Sequence, residues 1–387
     1  MTIVAFASGN PESLRTWSNV PALAIKALRD MGNTVYSVDL EPSSTLARTL
    51  VRIQNKLFRL IFGKSTMVLV QHLPLWKLYT DKKVKQAVQA HRDADALLFF
   101  SYSATGSRGC NIPSVLFCDF TIEYALKTIS KRVPNLIEQK LIKHQNEILE
   151  SSDAVISLFP QAAKFYSERY INKNIFSMKG HVINSTLSPE DENTSIKNKK
   201  DSHEILFIGR KTYKNGAIAL INAVKQYNMK SKDKVDLTII GMTEVDLMIN
   251  LPSQIKCIGY LDKSDATQSK CYYDHIKKAV AIINPTKNWG GISSIVEAMW
   301  FYTPVITSAY PEFVEMFGSD IRFGKYIEPE NATDIIEKIT YLMNIRHDET
   351  YTDLCKCSHN TVKDYTWDAF AGQIDNIVNK IIHTTNK

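Results

Sequence analysis

The sequence predicts an α/β protein with two domains, each built on a doubly wound parallel sheet. Apolar strand candidates alternate with helical stretches through the first half of the chain, and the same alternation restarts near residue 204. Such alternation is typical of parallel sheets covered by helices on both faces. The 387 residues are too many for one ordinary core and suit two domains of about 150–200 residues each.

The strand candidates are short apolar runs bounded by polar or turn-forming residues, at 2–8, 34–40, 95–101, 113–121, 153–159, 174–185, 204–210, 235–241, 255–260, 279–285 and 304–308. The helix candidates show apolar residues at helical spacing, at 19–32, 46–63, 136–152, 216–228, 331–345 and 365–382. In open α/β sheets, ligands bind beyond the carboxyl ends of the strands. We therefore expect a ligand site in a cleft between the two domains.

The segment "SPEDENTSIKNKKDSH" (188–203) is polar and shows no periodicity, so we interpret it as the linker between domains. The predicted boundaries are 1–190 for the first domain, 191–203 for the linker and 204–362 for the second. Residues 363–387 are predicted to form a C-terminal helix that packs back on the first domain.

Composition excludes several classes of protein. The sequence contains no run of 18 or more apolar residues, so no transmembrane helix is predicted. The N-terminus resembles a first strand rather than a signal peptide. We therefore expect a cytoplasmic protein whose six cysteines are reduced thiols. The spacing in "CKCSH" (355–359) does not fit the usual zinc pairs. A net charge of +7 permits nucleic-acid binding, but no nucleic-acid motif supports it.

The stretch "INPTKNWGGISSIVEAM" places two glycines and a carboxylate just beyond a strand. The helix that follows should start at Ile292 to Ser294, so its free N–H groups would form an anion site behind the glycines. Glu297 lies one turn into this helix, where a carboxylate suits paired hydroxyls such as those of a ribose. The alternative is a plain capping box in which Ser294 and Glu297 close the helix start.

The stretch "FIGRKTYKNGAI" places Gly209, Arg210 and Lys214 just past the first strand of the second domain. Cations at this edge would neutralise a diphosphate and stabilise it as a leaving group. The alternative for Arg210 and Lys214 is a pair of solvated loop charges.

Together these motifs resemble, in order and spacing, those of the family 4 retaining glycosyltransferases (glycosyl transferases group 1), which have the GT-B fold of two Rossmann-like domains facing a central cleft. The segments that carry the resemblance are "ILFIGRKTYKNGAIALINAV", "IKCIGYLDKSD", "NPTKNWGGISSIVEAMWFYTPVITSAYPEFVE" and "YTWDAFAGQIDNIV" in the second half, with "RTWSNVPALAIKALRDMG" and "SSDAVISLFPQAAKFYSERY" in the first.

The resemblance implies an enzyme that moves a hexose-like sugar from a nucleotide-diphosphate sugar to a hydroxyl acceptor with retention, in bacterial surface polysaccharide or glycolipid biosynthesis. It implies an acceptor-binding first domain, a nucleotide-sugar-binding second domain, UDP or GDP as the nucleotide, and no metal. The residues it implies for the donor are Arg210 and Lys214 at the diphosphate, Gly209 beside them, the backbone of Gly290, Gly291, Ile292 and Ser293 at phosphate oxygens, Glu297 at the ribose, and Gly259 and Tyr260 at the base.

One departure from the family pattern concerns the sugar. The family's first Glu, which contacts the donor sugar, falls on Trp289, so Asn288 or Trp289 would make that contact. This departure also motivates an alternative function, a non-catalytic GT-B-fold partner subunit that binds sugar or lipid.

On the acceptor side, Asp119 in "LFCDFT" should lie at the carboxyl end of a strand, where it would contact sugar or acceptor. The alternative is an Asp that caps the next helix. Trp17 either lines the same side or serves as packing.

Residues 42–92 hold ten Lys or Arg and one acidic residue, Asp81. Within 46–63 the cations recur at helical spacing with Leu, Ile and Phe between them, which predicts a basic amphipathic helix. Such a helix would meet an anionic membrane carrying a lipid-linked acceptor, at the inner face of the cell membrane. The alternative is a solvated charged face over ordinary core.

Overall fold

The structure is a computed structural model that describes residues 1–62, 70–106, 110–172, 174–178, 187–287 and 291–385. The chain divides into two compact units. The first comprises residues 1–180 together with 367–387, and the second comprises residues 181–366. Each unit holds a six-stranded parallel sheet with helices around it, so the predicted α/β class is confirmed.

The sheet of the first unit has the strand order β2-β1-β3-β4-β5-β6. Its strands are β1 (Thr2–Ala7), β2 (Thr34–Asp39), β3 (Ala96–Phe99), β4 (Ser114–Cys118), β5 (Ala154–Ser157) and β6 (Ile175–Ser177). Neighbouring strands all run parallel, with Val4 of β1 beside both Tyr36 and Leu97. The order reverses at β1, so the topological switch point of this sheet lies between β1 and β3.

The α-helices of the first unit, among the described residues, are α1 (Val20–Asp30), α2 (Thr45–Phe62), α3 (Pro74–Ala90), α4 (Ile122–Tyr124), α5 (Leu136–Ser151), α6 (Pro160–Arg169) and, last in the chain, α15 (Trp367–Thr385). The last of these is fixed by apolar and polar contacts. The Phe370 ring meets the Phe117 ring edge-on at 5.1 Å, and Asn33 Nδ2 donates to Asp375 Oδ1 at 3.2 Å.

The sheet of the second unit has the order β12-β11-β10-β7-β8-β9. Its strands are β7 (Glu204–Ile208), β8 (Asp236–Ile240), β9 (Ile255–Gly259), β10 (Ala281–Asn284), β11 (Val305–Ser308) and β12 (Gly324–Ile327). This is the Rossmann order, which reverses between β7 and β10. The loops that follow these two strands therefore flank the position where such sheets bind ligands.

The helices of the second unit are α7 (Glu192–Lys200), α8 (Lys214–Lys230), α9 (Glu244–Leu247), α10 (Ala266–Lys278), α11 (Ile292–Trp300), α12 (Pro311–Phe317), α13 (Ala332–Ile345) and α14 (Glu349–Val362). Helix and sheet side chains such as Phe207, Leu220 and Ile239 are fully buried between them. Apolar burial of this kind is the main stabilising contribution to such a unit.

The structure differs from the linker predicted over 191–203, because α7 occupies most of that segment. Ile196 is buried, and Lys199 is completely buried. The Lys199 ammonium donates to the carbonyl oxygens of Ile276 at 3.0 Å and Lys277 at 2.9 Å, at the carboxyl end of α10. A cation at that position satisfies carbonyls that the helix leaves without partners. A buried lysine thus holds α7 against α10, a role that sequence periodicity assigns to apolar residues.

Among the helices that the structure describes, none combines the length and the apolar content needed to cross a lipid bilayer.

Candidate functional site

The two glycine-containing motifs of the second domain meet at the switch point between β7 and β10. Gly291 precedes α11 in the left-handed conformation, with φ +67°. A Cβ atom at Gly291 would lie 3.9 Å from the carbonyl oxygen of Ile208, at the end of β7, and 3.9 Å from the ring of Tyr213. The N-terminus of α11 therefore sits against the loop that carries Gly209 and Arg210.

A second close approach joins the same two loops. A Cβ atom at Gly216, in the first turn of α8, would lie 2.5 Å from Thr286 Oγ1 and 3.0 Å from Thr286 N. Thr286 is itself held, because its N–H and its hydroxyl both donate to Asn284 Oδ1, at 3.2 and 2.6 Å. Only glycine fits at position 216 without moving this loop, so the sequence fixes how closely α8 approaches the end of β10.

The start of α11 offers backbone donors. Its first amides, at Ile292 and Ser293, belong to the first turn of the helix. Ile292 is buried and Ser293 is exposed. The first helical bonds run from Ser294 and Ile295 back to the Gly291 carbonyl, at 3.1 and 3.4 Å. The aligned peptide dipoles make this end of the helix positive and favour an anion there.

The loop after β7 adds positive charge. Gly209 is closely packed, since a Cβ atom there would lie 2.8 Å from the Phe207 ring. Arg210 is exposed, and Lys214, the first residue of α8, is half-buried. Among the described residues neither cation pairs with an acidic side chain, whereas their neighbour Lys211 pairs with an Asp carboxylate at 3.3 Å. Two cations without an acidic partner among the described residues therefore follow β7, Arg210 in the loop beside the start of α11 and Lys214 at the start of α8.

Glu297 is not part of a capping box, so that alternative is wrong. Its carboxylate is buried and accepts four hydrogen bonds. Lys263 Nζ donates to Oε1 at 2.8 Å and to Oε2 at 2.7 Å. The hydroxyl groups of Tyr272 and Tyr273 donate to Oε2 and Oε1, at 2.7 and 2.8 Å. Ser294, the other half of the expected box, instead donates its hydroxyl to a backbone carbonyl.

These four residues form what we call the Glu297 cluster: Glu297, Lys263, Tyr272 and Tyr273. The Lys263 ammonium also lies 4.2 Å from the centre of the Tyr272 ring, a distance suited to cation–π attraction. Burial, followed by the charge of Glu297, raises the pKa of Tyr272 well above its ordinary value, so this hydroxyl stays a donor. With the tyrosines buried and the lysine partly exposed, Lys263 is the cluster member that faces solvent.

Sequence reasoning missed Lys263 and both tyrosines. Lys263 follows β9 and the tyrosines lie on α10, far along the chain from the carboxylate that they contact. The only available signal was position: Lys263 occurs in a segment already singled out, "IKCIGYLDKSD".

Gly259 and Tyr260, expected beside a nucleotide base, lie at the carboxyl end of β9. Gly259 adopts φ +80°, and its carbonyl oxygen accepts from Gly241 N at 2.7 Å. The Tyr260 side chain is 66% exposed. An exposed aromatic ring at this edge can stack on a base. Two other expected residues, Trp289 and Gly290, lie outside the described residues, as does Asn288.

In the first unit, Asp119 directly follows β4, and Trp17 lies near it. The Trp17 ring lies 5.6 Å from the ring of Phe117, and the Trp17 side chain is near enough to the Asp119 carboxyl to lower its pKa. Trp17 has φ +37°, an unusual conformation for a bulky residue, which often marks functional sites. Asp119 and Trp17, predicted separately, thus lie near each other.

The capping alternative for Asp119 is wrong, because Thr121 makes that cap: its hydroxyl oxygen accepts from Tyr124 N at 3.2 Å. Burial raises the pKa of Asp119 to about 6, and the neighbouring Trp17 side chain acts in the opposite direction. A half-buried carboxyl with a raised pKa is a candidate for contact with hydroxyl groups. In the part of the chain that the structure describes, no group of three or more His, Cys, Asp or Glu side chains could hold a metal ion.

Part of the chain matches a known protein family. Residues 189–356 match the family described as glycosyl transferases group 1. No curated protein matches the sequence.

Solved structures resemble the whole chain at low identity. Sucrose-phosphate synthase from Thermosynechococcus elongatus aligns with a TM-score of 0.64 and 16% identity, over 99% of this chain and 100% of the other. WaaG, a glycosyltransferase involved in lipopolysaccharide biosynthesis, gives 0.62 and 12%, over 98% and 99%. HepE from Anabaena, in complex with UDP and glucose, gives 0.62 and 11%, over 98% and 100%. These likenesses confirm the predicted GT-B fold.

The raised pKa of Asp119 predicts a pH-dependent difference between the protein and its Asp119→Asn variant. Because the folded state holds this proton more tightly than the unfolded state, the wild type should lose stability relative to the variant between about pH 4 and about pH 6, and no further above that. Urea unfolding across this range measures the difference. The exposed Asp93→Asn variant controls for loss of a carboxylate in the same unit; a pH-independent difference for Asp119→Asn would contradict the burial argument.

Proposed function

We propose that the chain moves a sugar from a nucleoside diphosphate sugar to a hydroxyl group, with retention at the anomeric carbon, because residues 189–356 match the family described as glycosyl transferases group 1. The acceptor is a saccharide or a lipid-linked saccharide. The product belongs to a bacterial surface polysaccharide or glycolipid, assembled at the cytoplasmic side of the membrane.

The observation that carries this proposal is the meeting of two loops at the switch point of the second sheet. Gly291 brings the start of α11 against the end of β7, and Arg210 and Lys214 lie in the loop after β7 and in the first turn of α8, respectively. Amides of Ile292 and Ser293 and the two cations suit the charge of a diphosphate. They would stabilise the charge that develops on the leaving phosphate, and we propose that they do so without a metal.

We place the ribose at the Glu297 cluster. Each carboxylate oxygen of Glu297 already accepts two hydrogen bonds, which is close to the capacity of the group. A ribose diol therefore has to replace a partner, and Lys263 is the partner that faces solvent. Displaced Lys263 would remain nearby as a third cation. The base would stack at Tyr260.

For the sugar and the acceptor, we propose contacts with Asn288 or Trp289, where the family has Glu, and with Asp119 and Trp17 in the first unit. In the proposed step the acceptor oxygen bonds to the anomeric carbon as the bond from that carbon to the phosphate oxygen breaks. The acceptor proton passes to the leaving phosphate. No protein nucleophile is required.

Two similar structures support finer choices. HepE was solved with UDP and glucose, which favours UDP over GDP as the first nucleotide to test. WaaG acts in lipopolysaccharide biosynthesis, which favours a cell-surface glycan as the product class.

Diphosphate binding should depend on Arg210 and Lys214. In a thermal-shift panel of UDP, GDP, ADP and CMP without metal, one nucleoside diphosphate should raise the melting temperature, since a ligand that binds only the folded state stabilises it. Arg210→Ala and Lys214→Ala should each weaken its affinity by roughly 10- to 100-fold, the range for one lost charge-assisted hydrogen bond. Calorimetric titration measures this loss.

Lys211→Ala is the matched control, because Lys211 has the same charge in the same loop but pairs with Asp246. It should bind nucleotide like the wild type. Equal losses of nucleotide affinity in all three variants would show that only the overall positive charge of this region matters, and would contradict specific contacts by Arg210 and Lys214. If no nucleotide raised the melting temperature, the non-catalytic partner subunit that binds sugar or lipid would become the better account.

If the ribose binds at Glu297, the protein should distinguish nucleotides that carry the ribose hydroxyl groups from those that lack them. The wild type should bind UDP about tenfold more tightly than 2′,3′-dideoxy-UDP, because hydrogen bonds to a charged carboxylate are lost. Glu297→Gln should largely remove this preference, measured by competitive titration. Equal affinity of the wild type for both nucleotides would show that Glu297 keeps Lys263 and does not bind the ribose.

A further inference from the structure

Helix α2 presents an apolar surface to solvent. It rests on the first unit through Ala47 and Val51, which are 1% and 2% exposed, and through Gln54 Oε1, which accepts from Leu75 N at 3.4 Å. Six other apolar side chains are between 41% and 72% exposed: Leu46, Leu50, Ile53, Leu57, Leu60 and Ile61. We call these six the apolar stripe. If α2 were a solvated charged face packed on an ordinary core, these apolar side chains would be buried against that core. They are exposed, so that alternative is wrong for α2.

Four cations lie beside the apolar stripe. Arg48, Arg52, Lys56 and Arg59 are all exposed, and we call them the basic stripe. At about 100° per residue, the apolar stripe covers an arc of about 100° and the basic stripe an adjoining arc of about 80°. The sequence of α2 contains no acidic residue. The outward surface of the helix is therefore divided lengthwise into an apolar half and a cationic half.

We propose that α2 docks on the surface of an anionic lipid bilayer. The apolar stripe would enter the boundary between headgroups and acyl chains, and the basic stripe would contact lipid phosphates. Leu and Ile gain by leaving water, and each cation near the anionic surface adds attraction. A bilayer interface offers both environments side by side, which matches the lengthwise division of α2.

Other occupants match only one half of this surface. A second copy of the chain, paired through the same face, would oppose four cations to four cations with no acid on the helix to offset them. A nucleic acid would satisfy the cations but leave six aliphatic side chains in water, since single strands bind through aromatic stacking.

The proposal goes beyond the donor chemistry and does not depend on it, because α2 belongs to the first unit and the donor residues belong to the second. It adds a location. An enzyme held on the bilayer by its acceptor-binding unit would meet acceptors carried on lipids rather than acceptors in solution.

The test is co-sedimentation of the full chain with phosphatidylcholine vesicles, with or without phosphatidylglycerol. Wild-type protein should bind the vesicles that contain phosphatidylglycerol, and less so at high salt. The Leu46→Ser/Leu57→Ser/Leu60→Ser variant should bind at least about tenfold more weakly. Arg52→Gln/Lys56→Gln, which removes the two cations nearest the apolar stripe, should lose about fivefold per cation.

Two matched controls lie on the same unit. Val133→Ser/Leu136→Ser removes side chains that are 83% and 75% exposed, and Lys140→Gln/Lys143→Gln removes two exposed cations. Both should bind vesicles like the wild type.

Absence of binding to phosphatidylglycerol vesicles, or equal losses in the controls, would overturn the proposal. A dimer in solution that the triple Leu→Ser variant abolishes would overturn it in favour of a second copy. Nucleotide-induced thermal stabilisation should persist in both α2 variants, because they leave the donor residues unchanged. That readout separates a failure at the membrane from a failure of the proposed transferase activity.

Discussion

The candidate donor site depends on a steric constraint: two loops approach more closely than side chains would allow. Gly216 lies against Thr286, and Gly291 turns the chain through a left-handed conformation into α11 beside the end of β7. A side chain at Gly216 would push the loops apart, and one at Gly291 would strain the turn. Because the loops meet, the amides that start α11 and the cations that follow β7 can act on one anion. The diphosphate assignment follows from this meeting rather than from any single residue.

The buried carboxylate of Glu297 is stabilised by its hydrogen-bond partners, yet one side of it can still be reached from solvent. A buried carboxylate without partners is costly, and here one cation and two hydroxyl groups compensate it. Two of those partners, Tyr272 and Tyr273, come from the interior and fix its position. The third, Lys263, comes from the solvent side. A diol can therefore compete for the outer positions of the carboxylate without disturbing the inner ones.

Much of the fold was predictable because strands buried on both faces leave continuous apolar runs, as in β7 and β10, and because glycines mark the turns that follow them. The start of α11 at Ile292 falls in the predicted window for the same reason. Helix α7 was missed because its few buried side chains include Lys199, a basic residue that helical periodicity assigns to solvent. Lys263 was missed because its contact with Glu297 arises only when β9 and α11 come together in the fold. Likewise, local sequence suggested that Asp119 caps α4, but Thr121 is the capping residue. Only the folded structure brings Trp17 near the Asp119 carboxyl.

Hydrogen–deuterium exchange with and without UDP, or whichever diphosphate binds, tests the location of the site most directly. Bound diphosphate should slow exchange in peptides covering residues 209–216 and 291–297, because those amides would bond to it or be shielded by it. Peptides of α13, on the same unit, should exchange unchanged. Protection confined to other segments, with both of these unaffected, would contradict the assignment of the switch point between β7 and β10 as the donor site.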